Sequence, residues 1–127
     1  MKLRVQGNSI RMRITQPELA RMEADREIGD AINFSPDRKL DYRLSTSDDA
    51  AALHVEFTTG AIVISVPTDT FEQWAGSDEI SISGEQPIAA EQTLSILVEK
   101  DFACLTHREG EDDSDKFPNP DAGERTC

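Results

Sequence analysis

The sequence predicts a mainly β domain, α+β by content, with eight strands and two short helices. Three observations lead to this prediction. Apolar and polar side chains alternate with a period of two in several segments, a helix-capping pattern follows the second segment, and the same order returns about fifty residues later. We therefore expect one ββαββ unit to occur twice, at residues 2–46 and 54–98, with pseudo-two-fold symmetry.

The first two strands are predicted at residues 2–6 and 9–14, where the alternation is regular. Between them Gly7-Asn8 is typical of a tight hairpin turn, because both residue types tolerate a positive φ. The alternation places the apolar side chains on one face and basic side chains on the other. The predicted basic face contains Lys2, Arg4, Arg11 and Arg13.

A helix is predicted directly after the second strand. Thr15 as N-cap and Glu18 three residues later form a capping box, and Pro17 stands in the first turn, where its missing N–H costs nothing. Leu19 and Met22 are spaced as the apolar stripe of this helix.

The second hairpin of the first copy is predicted from turn residues. A turn at Gly29-Asp30 is expected to lead into a strand at residues 31–34, with Ile32 and Phe34 facing the core. A second turn at Ser35-Pro36-Asp37 leads into a returning strand. The inward residues of that strand are expected to be Leu40, Tyr42 and Leu44, and the polar residues 45–52 predict a loop.

The second copy is predicted from apolar residues that recur fifty-two positions later. In its first hairpin and helix these are Val55, Phe57, Ile62, Ile64, Val66, Phe71 and Trp74. The second helix is predicted to follow Pro67, with Thr68 or Asp69 as its N-cap, and to end at Gly76.

The second hairpin of this copy requires two changes of alignment. Ile80 and Ile82 align with Ile32 and Phe34 at an offset of 48, and a longer connection at residues 84–92 raises the offset to 54. Amphipathic strands also align by chance when gaps are allowed, so coincidence is the alternative to duplication. The gaps fall in predicted loops, which favours duplication.

The net charge of −12 is unevenly distributed along the 127 residues. Residues 1–26 contain six cations and three anions, whereas the remaining residues contain seven cations and 22 anions. An acidic protein has little non-specific affinity for nucleic acid or anionic membranes. Any anion-binding surface is therefore expected in the N-terminal stretch, and residues 106–127 are predicted to form an acidic polar tail.

The sequence contains no apolar run long enough to cross a membrane, and its first residues lack the apolar stretch of a signal peptide. Two cysteines, Cys104 and Cys127, are too few for a disulfide framework. We therefore expect a cytoplasmic protein without membrane association, either a monomer or a homodimer.

Gly7-Asn8-Ser9, followed by Arg13-Ile14 and a capped helix, resembles the AbrB/MazE family of bacterial transition-state regulators and antitoxins. Gly29-Asp30 and Val66-Pro67 stand where that family has a Gly-Asp turn and a strand-ending proline. Each chain of that family supplies half of an intertwined, swapped-hairpin β-barrel. The resemblance implies that the two copies here complete a pseudo-two-fold, eight-stranded barrel within one chain, as a single domain over residues 1–105.

A second resemblance concerns the end of the chain. Residues 97–105, which read Leu-Val-Glu-Lys-Asp-Phe-Ala-Cys-Leu, are similar to the C-terminal signature of a family of small uncharacterised bacterial proteins. The later acidic run Glu111-Asp112-Asp113 and the pair Phe117-Pro118 belong to the same signature. This resemblance implies no activity.

These observations predict a non-enzymatic binding module, regulator-like or antitoxin-like, with a protein or DNA partner. The candidate binding residues are Lys2, Arg4, Asn8, Arg11 and Arg13. Guanidinium groups suit phosphate oxygens and guanine edges, and the resemblance to antitoxins implies that the acidic tail binds a protein. The alternative for the cations is that they pair with carboxylates of the same chain.

The alternative function is metal binding by the tail, where Cys104 and His107 stand near several carboxylates. Their spacing matches no closed zinc set, and no cofactor is expected. His54 and His107 are the only histidines, and no nucleophile, phosphate-loop or paired-carboxylate motif accompanies them. We therefore predict no enzymatic activity.

Overall fold

The computed structural model describes residues 1–102, and this part of the chain is mainly β, as the sequence predicts. Its elements are β1 (Lys2–Gln6), β2 (Ser9–Ile14), α1 (Gln16–Asp25), β3 (Glu27–Ser35), β4 (Arg38–Ser47), β5 (His54–Thr58), β6 (Ala61–Pro67), α2 (Thr68–Ala75), β7 (Ser81–Ala89) and β8 (Gln92–Lys100). The strands form two four-stranded sheets, ordered β1-β2-β8-β7 and β3-β4-β6-β5. The predicted closed barrel is therefore not what the described strands form.

Each sheet contains one hairpin from the first ββαββ unit and one from the second. Strands β1 and β2 share their sheet with β7 and β8, and strands β3 and β4 share theirs with β5 and β6. The two central pairs, β2–β8 and β4–β6, are parallel, whereas the hairpin pairs are antiparallel. Each helix connects one sheet to the other, because α1 joins β2 to β3 and α2 joins β6 to β7.

The registers of the two sheets correspond residue by residue. Met12 lies opposite Val98 in one sheet, and their counterparts, Ile64 and Leu44, lie opposite each other in the other sheet. The counterparts are separated by fifty-two residues in the first hairpin of each unit and by fifty-four in the second. The two units therefore share one pattern of strand pairing.

The structure corrects the alignment of the second hairpins. Ile82, not Ile80, is the buried residue, and its counterpart is Ile28, since Ile82 lies opposite Val98 and Ile28 lies opposite Leu44. The offset is thus 54 throughout, and both β3 and β7 have an irregularity at the same place, between residues 33 and 35 and between residues 87 and 89. The predicted offset of 48 and the predicted long connection at residues 84–92 are wrong.

Two further predictions fail in β3. Gly29-Asp30 is not a turn, because both residues pair with β4 within the continuous strand. Ile32 and Phe34, which were expected in the core, are 48% and 69% exposed. The physical reason is that β3 runs beyond the core toward its hairpin tip. Its buried residue, Ile28, lies near the strand's beginning, next to α1.

One cluster of buried apolar side chains joins both sheets and both helices. It includes residues of β2, β4, β6 and β8, and its largest side chains are Trp74 and Phe71 on α2. Leu40, which is predicted to face inward on β4, does not belong to this cluster. These two rings meet edge to face, with centroids 6.1 Å apart. Among residues 1–102 no polar side chain is fully buried, so hydrophobic burial is the main stabilising contribution in this core.

The predicted capping box of α1 is confirmed. The backbone N–H of Glu18 donates to Thr15 Oγ1, and the Glu18 carboxylate accepts from the Thr15 backbone N–H at 2.9 Å. The predicted cap of α2 is wrong, because Pro67 occupies the N-cap position and makes no side-chain cap hydrogen bond. Thr68 lies within the helix instead, and its hydroxyl donates to Asp48 at 2.6 Å.

Neither helix in the described part of the chain is long and apolar enough to span a membrane.

Candidate partner-binding surface

The four cations of the predicted basic face lie together on one side of the β1–β2 hairpin. Lys2 is directly opposite Arg13, and Arg4 is directly opposite Arg11. We call this set of four side chains the cationic face. Like charges directly opposite each other destabilise an antiparallel pair, so anions close by would stabilise this arrangement.

Two carboxylates, Glu99 in β8 and Asp101 directly after it, supply negative charge beside these cations. The Glu99 carboxylate pairs with the Arg13 guanidinium, and its Oε1 lies 3.8 Å from Arg11 Nε. Asp101 Oδ2 lies 3.2 Å from Lys2 Nζ. The alternative given for the cations, pairing with carboxylates of the same chain, therefore applies to three of them. The parallel pairing of β2 with β8 brings these groups together, since Glu99 lies opposite Arg13.

Arg4 differs from the other three cations. Its side chain is exposed, and none of the carboxylates in residues 1–102 pairs with it. The four cations and Leu3 line a surface depression of about 190 Å³. The described part of this surface thus combines four cations with two carboxylates, and the uncompensated charge is concentrated at Arg4.

The second unit has no equivalent face. The positions that correspond to Lys2, Arg4, Arg11 and Arg13 are His54, Glu56, Val63 and Ser65. The cationic face therefore belongs to the first unit and not to the second.

Asn8, the fifth candidate, does not lie with the cations. It is in the β1–β2 turn, where its side-chain Nδ2 donates to the Thr93 backbone carbonyl at 2.6 Å and its backbone carbonyl accepts from the Ser95 N–H at 3.1 Å. Asn8 therefore ties the turn to β8. In that turn Gly7 has a positive φ, of 54°, and Asn8 does not, although both residue types tolerate one.

The predicted metal ligands Cys104 and His107 lie outside the described residues, as does the predicted tail at residues 106–127. Within residues 1–102 no group of three His, Cys, Asp or Glu side chains is placed to hold a metal ion. His54, the other histidine, lies exposed at the start of β5 opposite Ser65.

Sequence reasoning missed a link between the two sheets. On one side of the molecule β5 and β7 lie next to each other, and the Gln86 side chain binds the backbone of Val55. Gln86 Oε1 accepts from the Val55 N–H at 2.7 Å, and Gln86 Nε2 donates to the Val55 carbonyl at 3.1 Å. We call these two hydrogen bonds the Gln86 clasp. A lone glutamine in an amphipathic strand gives no signal of such a role.

A second missed feature is a polar corner beside β3. Tyr42 on β4 lies directly opposite Asp30 on β3. Burial raises the pKa of the Tyr42 hydroxyl, and the nearby carboxylates of Asp30 and Glu18 raise it further. The corresponding residues of the second unit, Ile96 and Gly84, are apolar, so the two sides of the molecule differ in chemistry.

Glu18, at the start of α1, belongs to the same corner. Burial acts to raise the pKa of this carboxyl, but hydrogen bonds from the Met1 ammonium and from Thr15 outweigh burial, and the pKa is lowered. Glu18 is therefore held in its charged form by groups that donate hydrogen bonds to it.

A family model described as "Family of unknown function (DUF7009)" matches residues 1–121 of the chain. No curated protein matches the chain, and no solved structure does.

Proposed function

Because the chain belongs to the DUF7009 family, whose function is unknown, we propose a function from its surface: it is a non-enzymatic binding module that binds an acidic segment of a partner protein through the cationic face. The observation that carries this proposal is the position of Arg4. Its exposed guanidinium lies opposite Arg11 and lacks a carboxylate partner among residues 1–102. A bound carboxylate would relieve the repulsion between these two side chains.

The cations are confined to the first unit, and this placement favours a protein partner over DNA. DNA affinity depends on neutralising several phosphates, whereas Glu99 and Asp101 already neutralise part of the cationic face. The second unit, which carries Glu56 at the position of Arg4, would repel a duplex that extended across both units. The net charge of −12 opposes a long polyanion further.

We also propose that the ancestry is regulator-like or antitoxin-like, with the two units derived from one ββαββ unit by duplication. The duplication is supported by the shared registers of the two sheets and by the way each unit contributes one hairpin to each sheet. It is supported further by matching hydrogen bonds outside the ladders. The Asn8 carbonyl accepts from Ser95, and its counterpart in Gly60 accepts from Asp41.

The test is a titration of a labelled acidic peptide with the full chain at low salt, followed by fluorescence anisotropy. We expect saturable binding that weakens as salt is added, because exposed charge pairs are screened. The double variant Arg4→Glu with Arg11→Glu should weaken binding by about tenfold or more, since each exposed pair contributes up to about 1 kcal/mol.

The matched control is Arg38→Glu with Arg43→Glu, which makes the same change in net charge on β4. Binding that is absent, or that is lost equally in this control, contradicts the proposal. A short DNA duplex titrated in the same way should bind more weakly than the peptide. Tighter DNA binding would assign the cationic face to nucleic acid instead.

A further inference from the structure

We propose that the acidic partner segment binds as an added β-strand along the free edge of β1, pairing with the backbone of Leu3 and Val5. The proposal rests on the proposed function for the sign of the partner's charge. What it adds is the mode of binding and the chemistry of the segment, an extended strand with acidic side chains at alternate positions.

The first step concerns which backbone groups β1 turns outward. A two-residue turn, Gly7-Asn8, closes the β1–β2 hairpin at the pair Gln6–Ser9. Such a closing pair is hydrogen-bonded, and hydrogen-bonded pairs alternate with non-bonded pairs along an antiparallel ladder. Leu3 and Val5 are therefore in non-bonded pairs, so their N–H and C=O groups point away from β2.

The second unit supports this assignment independently. Val55 is the counterpart of Leu3, since Val55 lies opposite Ile64 as Leu3 lies opposite Met12. The N–H and C=O of Val55 do point outward, because both are bound by the Gln86 clasp. The backbone geometry at this position thus accepts a donor and an acceptor from outside the sheet.

The corresponding clasp is missing at β1. The position that corresponds to Gln86 is Ile32, whose side chain has no hydrogen-bonding group and is 48% exposed. None of the groups in residues 1–102 hydrogen-bonds to the outward N–H and C=O of Leu3 or Val5. Leu3 and Val5 therefore present two donors and two acceptors on an edge strand.

The other edge strands have features that disfavour strand addition. In β7, Pro87 removes a donor next to an irregularity in the ladder, and β3 has an irregularity at the corresponding place. In β5, the Gln86 clasp occupies Val55. On β1 the protection is a pair of cations, Lys2 and Arg4, and cations do not repel an acidic strand.

Lys2 and Arg4 also determine which kind of strand can pair with the edge of β1. A second copy of β1 paired antiparallel with the first would bring the cations of the two strands close together, which destabilises such a pair. An acidic strand would instead place carboxylates beside Lys2 and Arg4. Its alternate side chains would lie on the same side as Val5, which is 67% exposed, so apolar residues suit those positions.

The probe is a labelled eight-residue peptide of alternating Glu and Val, titrated against the full chain by fluorescence anisotropy. The decisive variant is Val5→Pro, which removes one outward donor without removing a β1–β2 hydrogen bond. We expect it to weaken binding at least about tenfold, whereas Val5→Thr, which keeps the N–H, should bind as the unmodified chain does.

Two controls keep the test falsifiable. Phe57→Pro makes the corresponding change on β5 and should leave binding unchanged; equal losses in the two proline variants overturn the proposal.

A peptide with the same side chains but N-methylated central amides should lose binding, because it cannot pair with a strand. If it binds as well as the unmethylated peptide, the cationic face binds acidic peptides but strand addition is wrong. If neither peptide binds, the proposed function fails too.

Hydrogen exchange gives a readout that does not depend on the variants. The amides of Leu3 and Val5 should exchange rapidly in the free chain and become protected at least about tenfold when the peptide is bound. Protection of both amides before the peptide is added would show that another part of the chain or a second copy covers this edge. That result would overturn the proposal.

Discussion

The Gln86 side chain on β7 binds both backbone groups of Val55 on β5, with distances of 2.7 Å to the N–H donor and 3.1 Å to the carbonyl. One amide side chain thereby acts as a short piece of neighbouring strand. Because β5 and β7 belong to different sheets, these two hydrogen bonds join the sheets at one edge of the molecule. The corresponding edge, between β1 and β3, has no such link among the described residues.

Replacing Gln86 should open the edge that it closes. We expect Gln86→Ile, which copies the residue at the corresponding position of β3, to lower the free energy of unfolding by about 1–2 kcal/mol, because two hydrogen bonds are lost. The Val55 amide should then exchange faster with solvent. Gln86→Glu keeps the acceptor for the Val55 N–H and should have the smaller effect on exchange. Unchanged exchange at Val55 in Gln86→Ile would show that the clasp does not form.

Two glycines in strands form a matched pair for testing packing. A Cβ at Gly84 would meet the Cβ of Leu53 at 3.0 Å, and Leu53 is buried. We expect Gly84→Ala to destabilise the protein by about 1–3 kcal/mol, because the space beside Leu53 is already filled. A Cβ at Gly29 would meet Arg43 Cγ, also at 3.0 Å, but the Arg43 side chain is half exposed and can move.

Chemical unfolding of both variants, followed by the fluorescence of the single tryptophan, measures this difference. Gly29→Ala should be close to neutral. Equal stability of the two variants would mean that Leu53 can move aside as easily as Arg43. The close contact at Gly84 would then not prevent a larger side chain there.

Glu18 should make stability depend on pH in the acid range. Its pKa is lowered in the folded protein, so its contribution is fully present above the ordinary pKa of a glutamate and is lost as the pH falls through the lowered value. We expect Glu18→Gln to be less stable than the unmodified chain by about 1 kcal/mol at neutral pH, from the loss of the charged capping box. The difference should shrink as Glu18 becomes protonated.

Urea unfolding of both proteins at a series of pH values tests this expectation. Comparing the two proteins at each pH removes most of the effect of the other carboxylates. A stability difference that stays constant from neutral to acid pH would mean that the charge of Glu18 contributes nothing.

The single tyrosine allows the polar corner to be tested directly. Burial is the main reason why the Tyr42 pKa is raised, and Asp30 is the next. Asp30→Asn should therefore lower this pKa part of the way toward its ordinary value, which tyrosinate absorbance measures during an alkaline titration. Asp37→Asn, in the β3–β4 turn, is the control and should leave the titration unchanged. An identical curve in Asp30→Asn would remove Asp30 as a cause.

The first hairpin of each unit and the capped helix could be predicted from sequence, because local patterns determine them. Alternation predicts the inward residues of β2 and β6, and Thr15 with Glu18 predicts the start of α1. The second hairpins could not be aligned correctly. Ile28 lies one residue inside β3, directly after α1, and Gly29-Asp30 has the composition of a turn. Pairing with β4 overrides that local preference.

The candidate surface was predictable only in part. Alternation places the four cations on one face, whereas their pairing with Glu99 and Asp101 depends on β8 lying beside β2. The Gln86 clasp and the free edge of β1 depend likewise on which strands end up at the edges of the sheets. Local sequence patterns do not indicate which strands lie at the edges of the sheets.

The parallel pairing of β2 with β8 also has a consequence for how the protein forms. Ser9 lies opposite Ser95, so the sheet that contains the first two strands is complete only after the last strand has been synthesised. The first unit therefore cannot complete either sheet during translation, and folding should be slow for a domain of this size because its essential contacts are distant in sequence. A chain cut in the loop between β4 and β5 would leave two pieces that form both sheets only together. Their refolding rate would then rise with concentration.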